Sequence, residues 1–300
     1  MVERRTVVAR GLRLSYLERG PSISRLDAGA RDAHEPSLVL IHGLMGTAEV
    51  FLPLIDAIPA ERHVIALDLP GAGGSERRRK MPATLAAASE SVIDALDALG
   101  LEQPVLVGHS HGAAVAMYLT SLYPERVDRL VLLSPAHPYF SHADQLIRFY
   151  LSPLGKAFAH TIPWYPQWLQ MVGLRSMAGP RSWDSPERLA PYRRNLRTQG
   201  TVPHLLRLLR TWQTDMAELR SLLECPFRKP ALVIWGDHDR AVPVSTAEAL
   251  MHRLMHGELR VMEGVGHRPA EERPQTCAAM IEEWMAETAA VRHAKARRLV

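Results

Sequence analysis

Val105-Leu106-Val107-Gly108-His109-Ser110-His111-Gly112-Ala113-Ala114 is the stretch that decides how this chain is read. An unbroken apolar run enters it and a run of small residues leaves it, the pattern of a buried strand turning sharply into a helix. A Gly-x-Ser-x-Gly match is weak by itself, and the strand–turn–helix setting is what gives it weight. A turn this tight forces Ser110 into strained backbone angles, and Gly108 and Gly112 leave room for neighbouring backbone. The Ser110 hydroxyl then stands at the carboxyl end of a sheet. There the positive end of the following helix favours developing negative charge.

Outward from this turn the chain keeps a strand–helix rhythm. Two short strands, 6–9 and 12–18, are joined at Gly11, and residues 20–36 carry no periodicity and are expected as a flexible surface loop. Continuous apolar runs then predict strands at 38–41, 63–67, 104–108, 127–133, 231–235 and 258–262. Helices are expected at 47–57 (with Thr47 as N-cap), 82–99 (closed by Gly100), 111–122, 244–256 and 269–290. The fold class is therefore α/β: a mostly parallel eight-stranded sheet flanked by helices. Residues 136–227 break the rhythm. They hold eight prolines between Pro138 and Pro203, no strand-like run, and Leu205, Leu206, Leu208, Leu209 and Trp212 at amphipathic helical spacing. Some 90 residues are too many for a connection, so 136–227 is expected as a helical lid inserted into a core of 1–135 and 228–300.

Composition bounds the possibilities. The chain has 300 residues, of which 47% are apolar and 23% charged. Those proportions exclude a disordered chain, a collagen-like fibre and a disulfide scaffold. Its apolar runs fall far short of the ~20 residues that cross a bilayer. The start, Met1-Val2-Glu3-Arg4-Arg5, leads into no apolar stretch, so no secretory signal is expected and the protein is expected to be cytoplasmic, with no membrane partner. The net charge of +4 is concentrated at Arg77-Arg78-Arg79-Lys80 and in the tail from His293 to Arg298. These are expected as a solvated loop and a frayed tail, with no nucleic-acid partner. The two cysteines, Cys225 and Cys277, are expected to be reduced.

A serine is a poor nucleophile unless a base takes its proton. Fourteen histidines are available, so position must choose among them. His267, in Glu263-Gly264-Val265-Gly266-His267-Arg268-Pro269, follows the last strand run, on a loop at the same edge of the sheet as Ser110. His109 and His111 neighbour the serine, but their side chains leave the backbone in other directions. His42, His63, His137, His160, His204 and His252 read as surface or structural. The base needs a carboxylate to hold its tautomer. Trp235-Gly236-Asp237-His238-Asp239-Arg240-Ala241-Val242-Pro243 offers two: Asp239, which reaches clear of the strand end, and Asp237 as the reserve.

With Ile41-His42-Gly43-Leu44-Met45-Gly46, Asp68-Leu69-Pro70-Gly71-Ala72-Gly73-Gly74-Ser75, the Ser110 turn and Gly266-His267-Arg268-Pro269, the chain resembles lid-bearing serine hydrolases of the α/β-hydrolase fold family. In that family the acid usually stands three residues before a Val-Pro or Ile-Pro pair, which favours Asp239. The resemblance implies Ser110, Asp239 and His267 as catalytic residues, and an oxyanion hole from the backbone N–H groups of Leu44 and His111. Ser110 excludes the members with aspartate at this turn, the dehalogenases and many epoxide hydrolases. The run 68–75 is glycine-rich but lacks the Lys-Ser/Thr ending of a nucleotide loop, and is expected as an ordinary surface turn.

These expectations amount to a cofactor-free, metal-free serine hydrolase. It would cleave a carboxylic ester of a small to medium, partly apolar substrate through an acyl-enzyme. Trp164, Tyr165, Trp168, Trp183 and Trp212 are expected to stabilise the lid against the core, with some lining an apolar cleft. The resemblance extends to hydrolases that cleave carbon–carbon bonds of vinylogous diketones. Acyl transfer, perhydrolysis and a non-catalytic ligand receptor on the same fold are further alternatives.

Overall fold

A hairpin opens the chain: β1 (Glu3–Ala9) and β2 (Leu12–Arg19) turn at Arg10 and Gly11, whose φ values are 46° and 75°. Six short strands follow: β3 (Leu38–Ile41), β4 (Val64–Leu67), β5 (Val105–His109), β6 (Leu130–Leu133), β7 (Ala231–Gly236) and β8 (Gly257–Met262). They form one sheet in the order β1-β2-β4-β3-β5-β6-β7-β8. The β1–β2 and β2–β4 pairs are antiparallel, and all the others are parallel. The computed structural model describes residues 1–20, 35–140, 144–180, 185–225 and 227–297. Most of the expected 20–36 loop, as well as Trp183, therefore lies outside the described residues, and so do the side chains of the basic tail.

β3 to β7 are buried along their whole length, which is why they stand out in the sequence as unbroken apolar runs. Alternate side chains divide between two packed layers. Val39, Ile41, Leu106, Leu132 and Val233 face one side, against α2 (Leu85–Leu99), α3 (His111–Leu122) and α8 (Thr201–Glu224). Leu38, Leu40, Val107, Leu133 and Ile234 face the other, against α1 (Leu52–Ala57) and α11 (Pro274–Arg297). Each fully buried Leu, Ile or Val contributes about 1.5–3 kcal/mol relative to exposure.

Several expected boundaries move, each for a local reason. The 82–99 helix begins at Leu85 because Thr84 caps it, its side chain accepting from the Ala87 N–H. The 127–133 strand shortens to Leu130–Leu133 behind a 3₁₀ turn, Pro124–Arg126. The 244–256 helix is a 3₁₀ turn, Val244–Thr246, followed by the short α9 (Ala247–Met251). The 269–290 helix is two helices, α10 (Pro269–Glu272) and α11, divided at Arg273. Between β6 and β7 lie α4 (Asp144–Leu151), α5 (Pro153–Thr161), a 3₁₀ turn (Ile162–Trp164), α6 (Gln167–Arg175), α7 (Pro186–Arg197) and α8. Cys225 is exposed and Cys277 buried, and both are free thiols.

β3 has β4 on one side and β5 on the other, so successive crossovers leave it in opposite directions. In an open α/β sheet this switch point is where loops diverge and leave a crevice. Ile41 pairs with Gly108 at the carboxyl ends of β3 and β5, so the chain after each strand emerges side by side. Close packing here demands glycine. A Cβ on Gly112 would collide with the Ile41 carbonyl oxygen and lie 2.6 Å from that of His42, and one on Gly108 would sit 2.5 Å from the Ala113 Cα. Both obstacles are backbone. Gly112→Ala is therefore expected to lower unfolding free energy by about 3 kcal/mol, measured as the shift of the urea midpoint at constant m-value.

Candidate active site

Ser110 joins β5 to α3 with φ 51° and ψ −116°, a conformation that a non-glycine residue holds only under constraint. The constraint is visible. The Ser110 N–H donates to the Leu133 carbonyl at 3.0 Å, and the Ser110 carbonyl accepts from Ala113 and Ala136. Sitting just before the first turn of α3, the side chain lies beside the helix N-terminus, where backbone donors are unpaired and negative charge is favoured.

His267 Nε2 lies 3.0 Å from Ser110 Oγ, and His267 Nδ1 lies 2.8 Å from Asp239 Oδ2. The other Asp239 oxygen accepts from the Ala241 and Val242 N–H groups, each at 2.9 Å, so both oxygens of this buried carboxylate are engaged. Trp235, fully buried on β7, donates from Nε1 to the Val242 carbonyl and fixes the far side of that loop. Asp237 is elsewhere: it accepts from Gly264 and Val265 and pairs with His238. The structure thus brings Asp239, not Asp237, to the imidazole.

Two residues sequence reasoning passed over hold the His267 loop. His109 Nε2 donates to the His267 carbonyl at 2.8 Å. The buried Glu272 carboxylate accepts from the N–H groups of Gly179, Gly266 and Arg268. The His267 N–H in turn donates to the Met177 carbonyl, so the helices between β6 and β7 are bonded to this loop.

Leu44 and His111 flank Ser110. A Cβ on Gly43 would lie 3.1 Å from that of Ser110, which shows how closely the 42–46 loop passes the serine. Among the described residues, neither the Leu44 nor the His111 backbone N–H has an acceptor. The loop is held by a network. His42 Nδ1 donates to the Gly43 carbonyl while its Nε2 accepts from the Leu69 N–H, which fixes a neutral tautomer. Asn195 on α7 uses all its capacity: Nδ2 donates to the Met45 and Gly46 carbonyls, and Oδ1 accepts from Gly73 N–H and the Arg77 guanidinium. No motif signals this residue, because its partners are remote in sequence.

Two sequence expectations are corrected by the same network. The 68–75 run is a turn but not an ordinary surface one. Asp68 is 0% exposed and accepts from Ala48 and Gly74 N–H and from Arg4. Arg77, expected to be solvated, is half-buried and bonds to Gly73, Ser75, Asn195 and Thr201. The tryptophan expectation divides: Trp212 packs against the core and stacks near His111, whereas Trp164 and Trp168 are 69% and 68% exposed.

A cavity of about 460 Å³ opens beside the 42–46 loop, with Leu44, His111, His204, Leu205 and Leu208 in its wall. Leu69 and Met81 also line it, together with the charged residues Arg10, Lys80 and Glu90. Ser110 itself is not in the wall, but its two neighbours Leu44 and His111 are. Burial pushes the His109 and His111 imidazoles down to about 3 and His204 to about 4. All three are therefore neutral across the physiological range. Among the described residues, no group of three or more His, Cys, Asp or Glu side chains is placed to hold a metal ion.

This geometry sits in a chain whose residues 36–274 match the family described as alpha/beta hydrolase fold, and the protein belongs to that family. Among its relatives is the hydrolase YugF of Bacillus subtilis (strain 168), 28% identical over 255 residues, which are 83% of this chain and 89% of that one. The human monoacylglycerol lipase ABHD6 is 24% identical over 264 residues, 85% of this chain and 77% of its own. Among solved structures, the epoxide hydrolase CorEH superposes with a TM-score of 0.78 at 20% identity, covering 96% of this chain and 100% of that one. That likeness shows the fold alone.

Behind the His267 loop, Glu271 is buried among Tyr192, whose hydroxyl donates to it at 2.6 Å, Arg268 and Arg188. Loss of hydration outweighs the nearby guanidinium and pushes the Glu271 carboxyl up to about 7. A carboxyl raised on folding favours the folded state while it is protonated in both states. Its contribution is then lost as pH climbs from about 4.5 through 7. Comparing melting midpoints of wild type and Glu271→Gln should give a difference that turns against wild type across pH 5–7.5 and is flat above it.

Proposed function

We propose that the protein is a serine hydrolase of carboxylic esters, acting through an acyl-enzyme on Ser110. The observation that carries this reading is the continuous hydrogen-bonded line from Ser110 Oγ through His267 to Asp239, with separations of 3.0 and 2.8 Å. In the proposed cycle His267 Nε2 takes the Ser110 proton as Oγ adds to the ester carbonyl. Asp239 holds the Nδ1–H tautomer and stabilises the imidazolium. The Leu44 and His111 N–H groups receive the oxyanion, each worth about 3 kcal/mol in the barrier. Collapse breaks the bond to the alcohol, which leaves with the proton from His267. Water, deprotonated by His267, then adds to the acyl-enzyme and releases the acid, restoring Ser110.

The cavity supports a partly apolar substrate, because Leu44, Leu69, Met81, Leu205 and Leu208 supply much of its wall. The human relative's name, monoacylglycerol lipase, suits an ester with an apolar acyl part. We read residues 136–227 as a lid, since α7 and α8 contribute Asn195, Thr201, His204 and Leu208 to the cavity wall.

Asn195 would act as a positioning residue, holding the loop that presents the Leu44 N–H. Asn195→Ala should lower kcat by ten- to a hundredfold, as expected for about 1 Å of misplacement, with KM nearly unchanged. Steady-state kinetics on a p-nitrophenyl ester read this directly, and a rise in KM at constant kcat would assign Asn195 to substrate binding instead. For the central reading, a fluorophosphonate probe should label the folded protein once, with the adduct on Ser110 by peptide mass analysis. Ser110→Ala should abolish both labelling and ester turnover. An unlabelled Ser110 in folded protein defeats the proposal.

A further inference from the structure

Helices α4 to α6 carry a surface that nothing in the proposed ester chemistry uses. Of the sixteen large hydrophobic side chains exposed among the described residues, eight lie between Leu146 and Val172. Leu146, Leu154, Trp164 and Trp168 are each 60% or more exposed. Its aromatic rings meet one another. The Phe149 and Phe158 rings meet at 5.8 Å, and the Phe158 and Tyr165 rings at 6.0 Å. Gln170 on α6 donates to the Ile162 carbonyl and ties that helix to the aromatic turn. An apolar patch this concentrated marks an interaction site.

Charge selects the occupant. From Gln145 to Trp183 there is no Asp or Glu, although at the chain's own frequency 39 residues would hold about four. The same stretch holds Arg148, Lys156, Arg175 and Arg181. The Arg197 guanidinium adds positive charge beside the patch, 5.4 Å over the Trp164 ring. Across α4, α5 and α6 the acidic residue is Asp144 at the start of α4, against Arg148, Lys156 and Arg175. Aromatic and aliphatic side chains interleaved with such an excess of cations are the composition that lies in the headgroup layer of a membrane. Tryptophan suits that layer because its ring is apolar and its N–H is polar. Two copies of this face would set like charges against each other, which disfavours self-association through it.

We propose that the face formed by α4, α5 and α6 docks peripherally on an anionic lipid surface. Among the described residues no helix is long and apolar enough to cross a membrane, and this contact requires none. The face is joined to the cavity wall: Arg197 on α7 donates to the Pro163 carbonyl, and α7 also carries Asn195. Docking would therefore hold the cavity close to the lipid. The inference goes beyond ester hydrolysis and stands whether or not Ser110 is a nucleophile.

Co-sedimentation with vesicles tests it, using phosphatidylcholine alone and phosphatidylcholine mixed with phosphatidylglycerol. Wild-type protein should bind the anionic vesicles at least about tenfold more tightly than the neutral ones. Binding should weaken as salt is raised. The double substitution Trp164→Ser, Trp168→Ser and, separately, Lys156→Glu should each weaken it at least about fivefold, with circular dichroism and the melting midpoint unchanged. Trp164 and Trp168 are exposed and Lys156 is partly exposed, so none of the three is part of the core. Three results would overturn the proposal: no sedimentation with anionic vesicles, equal binding by wild type and the double variant, or a lipid-free dimer that the double variant abolishes. The last would assign the face to a second copy of the chain.

Discussion

The backbone at Ser110 is the constraint on which the site depends. A non-glycine residue at φ 51° and ψ −116° costs of order 1–3 kcal/mol, and such strain persists only where its surroundings over-determine it. Here β5 is hydrogen-bonded to β3 on one side and β6 on the other, and α3 is pressed onto the end of β3 at Gly112. Relaxing the serine would require breaking ladder hydrogen bonds or lifting a helix whose first ten residues are buried. The large apolar core thus has a second effect beside stability, which is to hold one side chain in a conformation it would not choose.

Around that fixed point the loops are organised by buried carboxylates that collect backbone N–H groups. Asp239 gathers Ala241 and Val242, Glu272 gathers Gly179, Gly266 and Arg268, and Asp68 gathers Ala48 and Gly74. Loops lack the reciprocal bonding of helices and strands, so their donors need other partners once buried. A carboxylate oxygen has capacity for two such donors, and the charge strengthens each bond. Asp239 differs from the others because its second oxygen is turned to an imidazole.

How much of this was legible depends on how local each cause is. The eight strands stood out because most are buried on both faces, which leaves no polar residue to interrupt the run. Helix starts were less legible: Thr84 and the 3₁₀ turn at Val244 act over one or two residues, below the resolution of apolar periodicity. The 68–75 run showed turn chemistry in its glycines, but nothing in it reveals that a helix more than a hundred residues later covers the turn. Asn195 was invisible for the same reason, since a single asparagine in a polar helix carries no pattern. Trp164 and Trp168 misled because large apolar residues are expected inside, yet that rule runs only one way, and an exposed pair needs its own explanation.

The histidines around Ser110 show how one of many similar groups becomes distinct. His42, His109, His111 and His204 are all buried, and burial lowers the proton affinity of each. The partners of three of them are a carbonyl or backbone N–H (His42, His109) and a guanidinium (His204), none of which stabilises an imidazolium as a carboxylate does. His267 has Asp239 at one nitrogen and the serine hydroxyl at the other. A carboxylate placed there holds the ring's tautomer and aims its other nitrogen at the hydroxyl. The surrounding rings, kept neutral by burial, add shape and hydrogen bonds around that geometry without adding charge.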